Sequence, residues 1–140
     1  MVATVTRRPD LAAMIGPLGR ELIALEQPTL RAHGLTMWAY AVLLHLGPEP
    51  VRTQAALAEA IGADKTRIIG VLDDLAARGL ISRQADPGDR RVRLLAITEE
   101  GRQRRDAAQA EIQRAEEEVL GRLTPPERET FLAVLRKLSS

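Results

Sequence analysis

The feature that most restricts how this chain can fold is a pair of adjacent arginines on a tight turn. It lies in Asp86-Pro87-Gly88-Asp89-Arg90-Arg91 and is followed by Thr98-Glu99-Glu100-Gly101. Leu80 to Gln84 reads as a strand, Val92 to Ile97 reads as another, and the Pro-Gly pair between them is turn chemistry. A hairpin with a cationic tip is expected. Arginine keeps its charge and presents a planar fork of donors, which suits phosphate or the negative minor groove of DNA. A solvated charged turn has the same composition, so the segments before the hairpin must decide between the two readings.

At 140 residues the chain is expected to form a single domain, 1–140. Aromatic residues make up only 2%, so the core must be built from Leu, Ala, Ile and Val, a composition that favours packed helices. No cysteine occurs, which excludes disulfides, thiolate metal sites and cysteine redox sensing and fits a reducing compartment. No apolar run is long enough to span a membrane, and Arg7, Arg8, Pro9 and Asp10 interrupt any secretory leader, so a cytoplasmic protein without membrane contact is expected. The net charge is +1, so nucleic-acid binding would require local segregation of charge. The middle of the chain shows it, in Lys65, Arg67, Arg78, Arg83, Arg90, Arg91 and Arg93.

Leu11, Ile15, Leu18, Leu22 and Leu25 form one helical stripe, with Pro17 expected to kink that helix or begin it and Pro28 to bend its end. His33-Gly34-Leu35 reads as a stop. Thr36 then caps a second helix, apolar nearly all round and ended by Gly47-Pro48. Thr53 caps a short helix, Gln54 to Ala60, closed by Gly62; Asp64 caps the next, whose Ile68, Val71, Leu72 and Leu75 face inward as far as Gly79. Two helices across a glycine turn, followed at once by the hairpin, make a winged helix-turn-helix over 48–98. Thr98 caps a long helix to about Leu123 whose apolar seam, Ala108, Ile112, Ala115 and Val119, is thin. Thr124-Pro125-Pro126-Glu127 is a capping box opening a last helix striped by Phe131, Val134, Leu135 and Leu138. The fold class expected is mainly α with a small β-hairpin, and the helices at 10–33 and 99–140 are assigned to an interface between two chains.

This order of elements resembles the MarR family of bacterial transcription regulators. The matching residues are Gln54 to Leu57-Ala58, Leu75 to Arg78-Gly79-Leu80-Ile81 in position at the helix exit, and Asp86-Pro87 with Asp89-Arg90-Arg91, followed by Ile97-Thr98 and Gly101. The likeness covers about residues 11–138. It implies a homodimer joined through its terminal helices, a pseudo-palindromic double-stranded DNA operator, and release, usually of a repressor, by a small-molecule effector.

In that frame, Asp64 to Gly79 is the recognition helix in the major groove, with Lys65, Thr66 and Arg67 as readers. Arg67 suits a guanine edge, and Lys65 a phosphate. Gly70 implies close backbone approach or fewer base contacts. Asp73 and Asp74 should turn away from DNA or pair with Arg78. Thr53 and Gln54 offer donors to phosphate, although capping explains Thr53 equally well. Asp89 and Arg91 resemble the family pairing in which the carboxylate orients a minor-groove arginine, with Arg90 as the alternative inserter. Arg93 either reaches phosphate or partners an acid. By resemblance the effector lies near the second helix, where His33, Trp38 and Tyr40 supply the polar-aromatic chemistry, although simple core packing accounts for Trp38 and Tyr40. His33 and His45 are too few for a metal site, and no metal or cofactor is expected. The alternative reading is a winged-helix module that binds protein without specific DNA binding. Catalysis is not expected, because the acid pairs Asp86/Asp89 and Asp73/Asp74 have no nucleophile or histidine beside them.

Overall fold

A helix without a polar face must bury most of its length, and the helix after Thr36 does, although Met37 and Leu44 stay exposed. In the computed structural model, which describes residues 7–47 and 52–139, α2 (Met37–His45) buries Ala39, Tyr40, Val42 and Leu43 at the centre of the molecule. The Thr36 hydroxyl accepts from the Ala39 amide at 3.1 Å, as its capping role requires. Around α2 lie α1 (Leu11–Ala32), β1 (Arg52–Thr53), α3 (Gln54–Ile61), α4 (Lys65–Ala77), β2 (Ile81–Asp86), β3 (Asp89–Ile97), α5 (Glu99–Leu120) and α6 (Pro125–Ser139). The core joins Leu30, Val42, Leu43, Leu57, Leu72 and Leu95, all withdrawn from water. Pro48, the expected stop of α2, and the start of the unit at 48–98 lie outside the described residues, as do the ends of the domain 1–140.

The helix expected to be irregular at its prolines is continuous through both. α1 runs from Leu11 to Ala32 with Pro17 and Pro28 inside it, and Pro17 is well past the first turn. Both prolines and the residues four before them, Ala13 and Ala24, lie on the exposed side, where water can reach the carbonyls that lose an intrahelical partner.

The strands also differ from expectation. Instead of Leu80–Gln84 and Val92–Ile97, the ladder continues to Asp86 and Asp89, leaving only Pro87 and Gly88 as the loop, with an irregularity between Ala85 and Asp86. Leu80 stays outside β2 because its amide donates to Leu75 O at 2.9 Å, closing α4. A third strand, β1, pairs with β3 through Arg52↔Leu95 and Thr53↔Leu94, giving the order β1-β3-β2. The α3–α4 turn depends on Gly62, whose φ of 70° is left-handed backbone that a side chain would strain.

α5 begins at a close approach to the end of α4. Thr98 Oγ1 donates to Gly79 O at 2.7 Å and accepts from the Gly101 amide at 3.0 Å, while the Thr98 amide donates to Leu80 O at 3.1 Å. The helix stops at Leu120 rather than Leu123, with Gly121 donating back to Glu117 O. An Arg122–Glu21 ion pair links its end to α1, and Arg128 of α6 pairs with Glu117. The Thr124 capping box forms as expected: its amide donates to Glu127 Oε1 at 2.9 Å and its hydroxyl accepts from the Glu127 amide at 3.4 Å. No residue of α6 is buried.

Candidate nucleic-acid interface

Two capped helix starts and the hairpin make up the winged unit. Thr53 Oγ1 accepts from the Ala56 amide at 3.1 Å and Asp64 Oδ1 from the Arg67 amide at 2.7 Å. Capping is thus the role Thr53 visibly fills, with Gln54 half-buried beside it. Ile68, Leu72 and Leu75 anchor α4 to the core, which leaves Lys65, Thr66, Arg67, Ile69 and Gly70 exposed on the opposite side and flanks. Between the starts of α3 and α4 lies a notch of about 220 Å³ lined by Gln54, Ala55, Lys65, Ile68 and Ile69.

Arg67 leans back rather than outward: its guanidinium carbon sits 5.7 Å from the centroid of the Trp38 ring, a cation–π contact between α4 and α2. The neighbouring acids are also engaged. Asp74 pairs with Arg78 at 3.4 Å, as one sequence alternative had it, whereas Asp73 pairs with Arg83 of β2 at 2.6 Å. The second pair ties α4 to the hairpin.

At the wing tip, Asp86 Oδ1 accepts from the Gly88 amide at 2.8 Å and sets the turn. Asp89 Oδ1 accepts from both the Arg91 amide at 3.0 Å and Arg91 Nε at 3.2 Å, while the Arg91 side chain is 91% exposed. So exposed a pair contributes at most about 1 kcal/mol to stability; what it does is hold one face of the guanidinium and leave the terminal nitrogens free. Arg90 and Arg93 are exposed and have no ion-pair partner among the described residues. Arg93 shares a strand face with buried Leu95 and Ile97, but by its position the hairpin has projected beyond the core.

His33, Trp38 and Tyr40 face three different neighbourhoods. His33 Nε2 lies 3.2 Å from Glu111 Oε1, beside a cavity of about 430 Å³ lined by Arg31, Ala32, His33, Gly34 and Arg104. Trp38 meets Arg67. Tyr40 is 7% exposed, and burial, reinforced by the charges of Glu26 and Glu116, pushes its hydroxyl up to about 12. Burial also raises both carboxyls, Glu26 further through Glu116 and Glu116 further through Glu117.

Those two carboxyls favour the folded state when protonated. Their contribution is therefore fully present below their usual value of 4.5 and is lost as pH rises through the raised folded values. A Glu26→Gln/Glu116→Gln variant should gain thermal stability over the parent as pH rises through that window, and the gain should level off above it. Paired melting curves from about pH 4 to 8 check this, and a difference independent of pH would refute it. Among the described residues no group of three His, Cys, Asp or Glu side chains is placed to hold a metal, and no helix is long and apolar enough to cross a membrane.

Residues 33–92, from the end of α1 to just beyond Arg91, match the MarR family model. The transcriptional regulator HosA of Escherichia coli O111:H- is 36% identical over 104 residues, which cover 74% of this chain and 77% of HosA. The chain belongs to the MarR family. It is a transcriptional regulator of that family, and its fold agrees with MarR-family structures over nearly its whole length. CouR from Rhodococcus jostii RHA1, bound to p-coumaroyl-CoA, superposes with a TM-score of 0.76 at 29% identity, covering 93% of this chain and 92% of CouR. The repressor CouR bound to a 23-mer DNA duplex gives a TM-score of 0.80 at 26% identity, covering 94% and 93%. Three features of the MarR unit here escaped the sequence reading: β1, the Arg83–Asp73 tie and the Trp38–Arg67 stack. All three join residues distant in sequence and carry no local signal.

Proposed function

We propose that this MarR-family regulator is a non-catalytic cytoplasmic repressor that binds a pseudo-palindromic operator as a homodimer and is released by a small molecule. The observation carrying this reading is the wing: an arginine almost fully in solvent, held from one side by Asp89, beside a second exposed arginine. With the wing in a minor groove and the start of α4 in the adjacent major groove, Lys65, Thr66 and Arg67 lie nearest base edges and phosphates. Thr53, Gln54, Gly70 and Arg93 lie around them, at the α3 start, on the outward face of α4 and along the wing. The CouR complex with a duplex supports DNA binding, and the CouR complex with p-coumaroyl-CoA supports a small-molecule ligand. The polar-aromatic side chains assigned to such a ligand are His33, Trp38 and Tyr40, although they lie in separate neighbourhoods.

A gel-shift titration against the chain's own upstream DNA tests the reading. Binding should prefer that duplex over random sequence and fall by about three orders of magnitude or more between about 50 and 200 mM salt. No preference at any salt would refute it, and would favour the protein-binding module instead.

The homodimer is supported by apolar surface left uncovered on the terminal helices. Leu11 is 59% exposed, Ile15 62% and Leu138 78%, with Val134 and Leu135 nearly half exposed. Exposed apolar surface of this kind marks an interface. The variant Ile15→Glu/Leu138→Glu should therefore sediment as a monomer where the parent is a dimer, and should lose most of its operator affinity because each half-site must then be bound separately. A dimer of unchanged stability would place the interface elsewhere.

A further inference from the structure

Ile69 is the exposed large hydrophobic residue of the reading unit: at 47% exposure it is the one such side chain on α3, α4 or the wing among the described residues. Helical spacing does not account for it as a core residue, since Ile68 and Leu72 already fill the inward positions. Two polar groups near it are drawn toward neighbouring elements, while Lys65 and Thr66 stay exposed. Arg67 leans on Trp38 and Asp73 is held by Arg83. Gly70 contributes no side chain, and nothing lies within 4 Å of where a Cβ would stand, so the backbone beside Ile69 is open to close approach. Ile69 also forms a wall of the notch of about 220 Å³ whose other apolar walls are Ala55 and Ile68, with Gln54 and Lys65 contributing the polar groups.

We infer that Ile69 is a specificity-determining residue that reads thymine, its side chain and the Ala55–Ile68 notch taking the 5-methyl group in the major groove. This rests on the operator-binding reading above. Thymine is the one base whose major-groove edge carries a methyl group, and apolar side chains recognise it by contact. The polar groups of Gln54 and Lys65 flank the methyl site, where phosphate oxygens or base edges can satisfy them.

The test uses the full-length dimer and an operator obtained by selection from random duplexes, with each thymine replaced in turn by deoxyuridine, which removes only the methyl. For the parent, one thymine in each half-site should be sensitive, with about fourfold weaker binding when one half-site is substituted and about fifteenfold when both are. Ile69→Ala should bind the thymine operator about that much more weakly and show no further loss on deoxyuridine, while Ile69→Val should keep most of the discrimination. Circular dichroism melts verify that both variants fold, as a half-exposed position in a helix allows. An operator without thymine opposite α4, a parent indifferent to deoxyuridine, or equal sensitivity in parent and Ile69→Ala would overturn the inference while leaving specific DNA binding intact. Failure of the selection to yield any preferred duplex would overturn the operator-binding reading itself, and this inference with it.

Discussion

Replacing Gly101 by alanine should destabilise the protein by about 3 kcal/mol or more and lower its melting temperature by roughly 10 °C. The direction is the reverse of the ordinary one, because alanine inside a helix is usually favoured over glycine by about 1 kcal/mol. Here an added Cβ would stand 2.0 Å from Leu80 O, 2.9 Å from Leu80 C and 3.0 Å from Ile97 Cγ1. Flexible side chains could step aside, but this obstacle is backbone. The Leu80 carbonyl is fixed by the Thr98 amide at 3.1 Å, and the preceding Gly79 carbonyl by the Thr98 hydroxyl at 2.7 Å. Relief would have to come from sliding the first turn of α5 away from the exit of α4, which opens the joint between the long helix and the wing. Thermal melts at one fixed protein concentration measure the effect, since dimerisation makes the midpoint concentration-dependent. An unchanged or raised midpoint would show that the approach is not obligatory.

Removing both wing arginines should be the largest single blow to DNA binding that leaves the fold intact. Arg90 and Arg91 touch nothing in the core, and Arg91 is 91% exposed, so Arg90→Ala/Arg91→Ala should melt like the parent. Two wings then lose four cations. If each meets phosphate, the slope of log affinity against log salt should flatten by roughly 3 to 4 units, and operator affinity near physiological salt should fall about a hundredfold. Asp89→Ala separates orientation from charge. Deleting an acid near DNA should strengthen binding if only net charge matters. Because Asp89 holds both the amide and Nε of Arg91, weaker binding is expected. Unaltered affinity and salt slope in the double variant would exclude the wing from the interface.

The sequence disclosed most where the physics is local. Thr36, Thr53, Asp64 and Thr98 each cap the helix expected of them, because a cap is a hydrogen bond across three residues. The hairpin was equally legible from its Pro-Gly turn. Pro17 lies inside α1 rather than in its first turn, a placement tolerated because the carbonyl it frees faces water, which only the packed structure reveals. β1 was missed because two residues carry no periodicity, and their strand character lies wholly in pairing with Leu94 and Leu95. In the winged unit, residue types pointed to an exposed basic surface but not to side-chain directions. The position of Arg67 is decided by a tryptophan on another helix, and that of Asp73 by an arginine on β2.

β3 has a further consequence. One end of it pairs with β1, which runs directly into the cap of α3, and the other end carries Arg91. The distance between the start of α3 and the wing tip is therefore gauged by a ladder of backbone bonds and not by any side chain. If α4 reads bases as proposed, substitutions on its outward face should change which bases are preferred while the footprint keeps its length. A one-residue deletion in β3 would do the opposite, turning Leu95 out of the core and shortening the gauge together.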